Sequence, residues 1–222
     1  MKAGVIGLVD GNFDELESFS ETFTQDDTEL SRCVEVRQTQ VTDSGVPVQT
    51  GRVATQKLDE QETVEINDGQ ISVYETPDVT TLYTEFVSVP GEFVAVSSSS
   101  GIFAFDTIDR RTNTNIQRAE LDLDSYAESR PESSPWKVGF YGHLGEADNG
   151  VVHGTSVLED SDFGNVLQDA KKNQLGLEFT RDSEVMKITM ADSGYVEVYQ
   201  PSNYDSAEYA EFVVEEVLPH TE

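Results

Sequence analysis

Val64-Glu65-Ile66-Asn67-Asp68-Gly69-Gln70-Ile71-Ser72-Val73 is the stretch on which the fold reading turns. Apolar residues at 64, 66, 71 and 73 alternate with polar ones on either side of Asn-Asp-Gly. Strict alternation is the period of a half-buried strand. Asp-Gly between two such runs marks a two-residue hairpin whose central positions take positive φ. Outward from this hairpin the same signals recur. Val34 and Val36 alternate with Glu35 and Arg37, Thr42-Asp43-Ser44-Gly45 forms a turn, and residues 46–56 return. Residues 81–89 and 92–98 predict further strands, parted by Pro90-Gly91, and a turn over 97–101 leads to a short apolar run at 102–105. At the start, residues 3–9 predict a buried strand. Phe13, Leu16, Phe19 and Phe23 then fall near one helical face, which predicts a helix over 12–23 capped by Asp10 or Asn12. Within 106–123 the polar stretch 109–118 reads as a short helix or a loop, and Ala119, Leu121 and Leu123 alternate like a strand.

Valine outnumbers leucine two to one, which favours strands. The organisation expected is a β-rich α+β part over 1–123, a linker or long loop over 124–135, and a second α+β part over 136–222. Residues 136–144 and 151–158 read as strands. A helix follows, with Ser161 as cap, Phe163, Val166, Leu167 and Ala170 on its inner face, and Lys171 and Lys172 at its negative end. Three strands come next, at 175–180, 185–190 and 195–199. Asp205 with Glu208 makes a capping box for a last helix bearing Tyr209, Phe212, Val213 and Val217, which Pro219 ends. The fold class expected is α+β, a mainly antiparallel sheet with three to four helices packed on one face and a C-terminal order ββαβββα. That order is similar to a half-repeat of TATA-binding-protein-like folds, in expected topology and without a shared motif.

The chain holds 43 acidic and 14 basic residues in 222, a formal charge of −29. Residues 1–123 carry 23 acids and 8 bases, and residues 124–222 carry 20 and 6, so the excess is spread along the chain. Only six residues are Lys. Two readings compete: a surface built for molar salt, where the Debye length falls to about 3 Å and carboxylates repel weakly, and an acidic mimic of DNA. Diffuse acidity with few lysines fits salt adaptation better. The composition resembles that of cytoplasmic proteins of salt-accumulating haloarchaea or their viruses. One cysteine, Cys33, excludes an intrachain disulfide and reads as a structural thiol. No run of 18 apolar residues spans a membrane, and the short apolar start does not make a signal peptide. A soluble cytoplasmic protein is expected.

No phosphate loop, dinucleotide fingerprint, nucleophile elbow or zinc spacing is present, and no cofactor is expected. Three features remain. The segment from His143 to His153 reads as a hairpin that sets two imidazoles across from each other, with Glu146 and Asp148 in its turn. His143, Asp148 and His153 are then candidate ligands for a divalent metal that activates water; the alternative is a polar hairpin tip. Arg110, Arg111 and Arg118 put three of the fourteen cations within nine residues, a candidate nucleic-acid or phosphate contact. Pairing with Asp106, Asp109, Glu120 or Asp122 is the competing reading, and the one favoured. Phe103 and Phe105, Phe140 and Tyr141, and Tyr195 and Tyr199 would stack bases or pack a core, and Trp136 reads as an anchor at the joint between the two parts. The function expected is a non-enzymatic binding or regulatory protein contacting nucleic acid or a protein partner. The alternatives are a structural or assembly protein of viral or plasmid origin, compatible with a homo-oligomer, and a metal-dependent hydrolase built on His143 and His153.

Overall fold

Ala3–Asp10 (β1) is the strand around which the chain assembles. Its sequence is almost continuously apolar, as a strand buried on both faces requires. The computed structural model describes residues 1–222 apart from Asn12, Asp14, Asp43, Gly145, Glu146 and Phe163, and for His143, Leu144 and Ala147 it describes the backbone alone. One edge of β1 pairs with Phe93–Val96 (β6); the other pairs with Tyr195–Gln200 (β12) and Asn115–Arg118 (β7). Beyond β6 the sheet runs through Gln70–Val89 (β5), Pro47–Asn67 (β4) and Thr28–Val41 (β3) to Phe19–Gln25 (β2). Beyond β12 it runs through Glu184–Ala191 (β11), Lys171–Arg181 (β10) and Ser134–Leu144 (β8) to Ala147–His153 (β9). Among the described residues, twelve strands form one antiparallel sheet.

The helices are short: Phe103–Thr112 (α1), Leu123–Glu128 (α2), Gly164–Asp169 (α3) and Ser206–Phe212 (α4), the last continuing as a π-helical turn over Val213–Val217. Alternation along the strands feeds two cores. Ile6, Val87, Leu175, Ile188 and Val198 pack with residues of α2, α3 and α4. Val5, Val53, Phe86 and Val96 pack with Ala104, Phe105 and Ile108 of α1. Gly7 makes the second contact possible, because a Cβ there would stand 2.8 Å from both the Phe105 ring and Ile116. Asp205 closes the capping box of α4 with Glu208, as the sequence predicts. No helix of the described residues is long and apolar enough to cross a membrane.

The expected class is corrected. Strands hold 56% of the described residues and helices 20%, in a single large sheet. The chain is mostly antiparallel β, not an α+β sheet with helices layered on one face. Its few helices lie on opposite faces, and the likeness to a TATA-binding-protein half-repeat goes with the class that does not form. Residues 12–23 account for part of the difference. Phe19, Glu21 and Phe23 alternate with Ser20, Thr22 and Thr24 in β2, not a helix. Asp26 and Asp27, both at positive φ, make the turn into β3. Upstream, the backbone of Leu16 is claimed by a distant side chain: buried Gln49 accepts from its N–H at 2.7 Å and donates to its carbonyl at 3.0 Å. Asn12 and Asp14 of the expected helix lie outside the described residues. Residues 102–105, a short apolar run in sequence, enter α1, where Phe105 packs on the underside of β1. Lys171 and Lys172 open β10 and do not end a helix.

Candidate functional site

The Asp68-Gly69 hairpin is far longer than its sequence signal. β4 and β5 pair without a register break from Gln49↔Ser88 to Asn67↔Gln70. Their neighbours leave early: the β3 ladder ends at Arg32↔Thr55 and the β6 ladder at Phe86↔Val96. Eleven rungs, from Lys57↔Thr80 to Asn67↔Gln70, thus have no third strand among the described residues. At about 3.3 Å per residue this is an arm roughly 35 Å long. Asp68 (φ 50°) and Gly69 (φ 78°) supply the two left-handed positions that fold it back.

The arm has two unlike faces. One carries Leu58↔Val79, Glu60↔Pro77, Glu62↔Glu75, Val64↔Val73 and Ile66↔Ile71; the other carries Asp59↔Asp78, Gln61↔Thr76, Thr63↔Tyr74 and Glu65↔Ser72. The tip of the first face is apolar and bare. Val64, Ile66, Ile71 and Val73 are 55%, 75%, 69% and 57% exposed. Two rungs set acid against acid, Glu62 against Glu75 and Asp59 against Asp78, and Lys57, 2.7 Å from Asp59, is the arm's one cation. Directly opposed like charges destabilise a ladder in dilute solution. Tyr74 donates to Glu65, and that carboxylate raises the phenol above its ordinary range.

The residues singled out in the sequence fall elsewhere. Arg110 and Arg111 lie exposed in the last turn of α1, where cations suit the helix dipole. Among the described residues neither stands within ion-pair distance of a carboxylate, though the Arg110 charge partly offsets the upward push of burial on neighbouring Asp109. The Arg111 guanidinium stands 5.5 Å over the Phe19 ring. Arg118 sits in β7 and donates from Nε to the Ser193 carbonyl. His153 lies opposite Lys137 in the β8–β9 ladder, and His143 follows six residues further along β8, roughly 20 Å away by strand rise. The side chain of His143 and all of Glu146 lie outside the described residues. Asp148 and Asn149 are in β9, and Asn149 lies opposite Tyr141. Among the described residues no group of three or more His, Cys, Asp or Glu could hold a metal ion. Trp136 in β8 packs edge-on against Tyr199, centroids 5.8 Å apart, with Lys187 Nζ 5.0 Å from its ring.

The sequence reading missed the cations that do most. Arg130 lies 3.9 Å over the Tyr126 ring and pairs with Glu216. Arg181 pairs with Glu215 and donates to Tyr204 Oη at 3.0 Å. Together they tie α2, β10 and the C-terminal helix. Buried Lys172 pairs with Asp124, beside a cleft of about 280 Å³ that Glu120, Asp122, Asp192 and Glu222 also line. That cleft joins two lysines to a majority of acids, so its field suits neither an anion nor a phosphate. Compared with protein-family models, curated proteins and solved structures, the chain matches none.

Proposed function

We propose that this chain is a non-enzymatic binding protein of a salt-accumulating cytoplasm, that its partner is a protein, and that the β4–β5 arm is the contact element. The observation that carries this is the eleven-rung ribbon, bordered at its base by the β2–β3 turn and bare at the two apolar rungs of its tip. An isolated two-stranded hairpin is marginal in water without a third strand or a packed face. Exposed apolar clusters of this kind mark contact surfaces. Nucleic acid is the poorer partner, because the arm carries seven acids against Lys57 and would be repelled by phosphates. The opposed acid rungs support the salt reading, since such pairs are tolerable where screening is strong.

A photo-crosslinker placed at exposed Ser72 tests this in the cells that make the protein, with exposed Gln117 as the control site. Discrete protein adducts are expected from position 72 and not from position 117. Absence of any discrete adduct from the tip overturns the reading. An assembly protein of viral or plasmid origin is the second reading, and one observation favours it: the β4 edge towards the arm's tip is open to a further strand.

A further inference from the structure

We infer that the partner of the arm is a different protein, which adds to the outer edge of β4 an extended segment with alternate apolar side chains first and alternate basic ones after them; this rests on the arm being the contact element. The hydrogen-bond phase of the hairpin identifies the edge. A two-residue turn makes Asn67↔Gln70 a mutually bonded rung, so the odd residues of β4 bond inward and its even residues turn their N–H and C=O groups outward. On β5 the outward residues are the odd ones, as the bond from Ser97 N–H to the Glu85 carbonyl shows. Pro77 falls among these and supplies no donor, which blunts the β5 edge. The β4 edge from Glu62 to Ile66 has no proline, and the β3 ladder has ended at Thr55. A third strand is what a two-stranded ribbon lacks for stability in water. Strand addition to an open edge is a recurrent way of binding an extended segment.

The side chains beside that edge state the chemistry of the segment. On the face with the apolar tip, β4 presents Ile66, Val64, Glu62 and Glu60 in order from the turn, and β5 presents Ile71, Val73, Glu75 and Pro77. Among the described residues no cation stands within ion-pair distance of Glu60, Glu62 or Glu75, and Lys57 is taken by Asp59. At the base lies a cleft of about 670 Å³, lined by half-buried Leu58 and by exposed Glu60, Glu75, Pro77 and, from the β2–β3 turn, Asp26. Residues opposite each other on one face of a sheet lie side by side. A strand added antiparallel, the slightly more stable sense, therefore meets Ile66, Val64, Glu62 and Glu60 in its own N-to-C direction. It fits when it reads apolar-x-apolar-x-basic-x-basic. Its apolar pair completes a cluster with the four tip side chains. Its first cation lies beside Glu62, and the second reaches the cleft beside Glu60. No two basic residues of this chain stand two positions apart, so a second copy does not supply the segment. In molar salt only charges in close contact escape screening. The cations thus fix register and partner choice, while apolar burial and main-chain bonds hold the complex.

Fluorescence anisotropy in molar KCl tests this, with the full chain titrated into the labelled peptide Thr-Ile-Thr-Val-Thr-Lys-Thr-Lys-Thr. The controls are the same peptide with Glu for Lys and a scramble of the first that breaks the alternation. The Lys peptide is expected to bind about tenfold tighter than either control. On binding, the outward amides of Glu62, Val64 and Ile66 gain protection from hydrogen exchange, and those of Ile71 and Val73 do not. Glu62→Lys is expected to weaken the Lys peptide about tenfold and to strengthen the Glu peptide. Ile66→Ser is expected to weaken the Lys peptide about tenfold through lost apolar contact. Protection of the inner amides of Gln61, Thr63 and Glu65 reports whether the arm stands in each variant. Should Glu62→Lys disturb it, Glu62→Gln removes the charge alone and is expected to weaken the Lys peptide severalfold. No binding of the Lys peptide overturns the inference. So does equal binding of its scramble, which is attraction to net charge, and so does protection that appears on β5. If position 72 crosslinks a protein while the Lys peptide does not bind, the contact role of the arm survives and this occupant falls; if position 72 crosslinks nothing, both fall.

Discussion

Lys172 shows how a chain with few cations spends one. Its ammonium is buried in β10, and Asp124 at the start of α2 is its carboxylate partner. Removing one member of such a pair leaves the other without compensation, which costs more than the pair contributes. Asp124→Ala is therefore expected to destabilise the fold by about 1–3 kcal/mol, the lower part of the range applying because Asp124 is half exposed. Chemical denaturation in molar KCl measures it, and a change within error would show Lys172 satisfied by the Gln168 carbonyl alone. His220 offers a pH test. It lies half-buried, its Nδ1 2.9 Å from Ser125 Oγ and its ring edge-on to Tyr126 at 5.2 Å. Burial, then Arg130, hold it below the ordinary imidazole range, against the opposing pull of Asp122 and Glu216. A depressed value in the fold means that the unfolded chain binds the proton more readily. The stabilising contribution is complete above the unfolded value near 6.5 and is lost as pH falls below it. The melting temperature of the parent chain should drop between pH 7.5 and 5.5 by more than that of His220→Gln; equal drops would assign the effect to carboxylates.

Within the arm, Glu75→Lys turns an opposed acid rung into an ion pair with Glu62. The exchange is expected to stabilise the ribbon by about 0.5–1 kcal/mol in dilute buffer and by little in molar KCl. Hydrogen exchange of the amides in β4 and β5 reads the difference, and equal gains at both salt levels would remove charge repulsion as the cause. The same hairpin shows what sequence reveals about an element. Alternation and Asp68-Gly69 announce its strands, turn and register, because all three are local. They do not announce that it stands alone: Val64, Ile66, Ile71 and Val73 read as a core-facing row, and only the early departure of β3 and β6 leaves them bare. Residues 12–23 fail for a related reason. The phenylalanine spacing suits a helix, but Gln49, thirty-three positions away, takes up the backbone of Leu16, and the Asp26-Asp27 turn carries no glycine to advertise it. The arginines show the limit for sites. Arg110, Arg111 and Arg118 stand out by their proximity in sequence, whereas Arg130 and Arg181 act together across the sheet from positions that look like a linker and a turn.

At the scale of the whole molecule, the pairing of β12 with β1 threads one sheet through both halves of the chain, so charge anywhere on the sheet bears on its stability as a whole. The net charge of −29 is distributed over that sheet with few cations to offset it, and the ion pairs that exist are concentrated at the arginine clamp and at Lys172. Exposed carboxylates separated by 6–8 Å or so interact strongly at 0.1 M salt, where the Debye length is about 10 Å, and weakly at 1 M, where it is about 3 Å. Half-buried pairs such as Arg130–Glu216 are screened far less. Raising salt therefore removes repulsion while sparing the attractive contacts, and the melting temperature should climb steeply from dilute buffer to molar KCl. The arm, with its two opposed acid rungs, should be the first element to lose exchange protection when salt is withdrawn. Sodium chloride at equal ionic strength should act alike, since screening depends on charge and not on the cation. A melting temperature unchanged between dilute buffer and molar KCl would mean that the acidic surface does not strain this fold, and the proposed setting of a salt-filled cytoplasm would lose its physical basis.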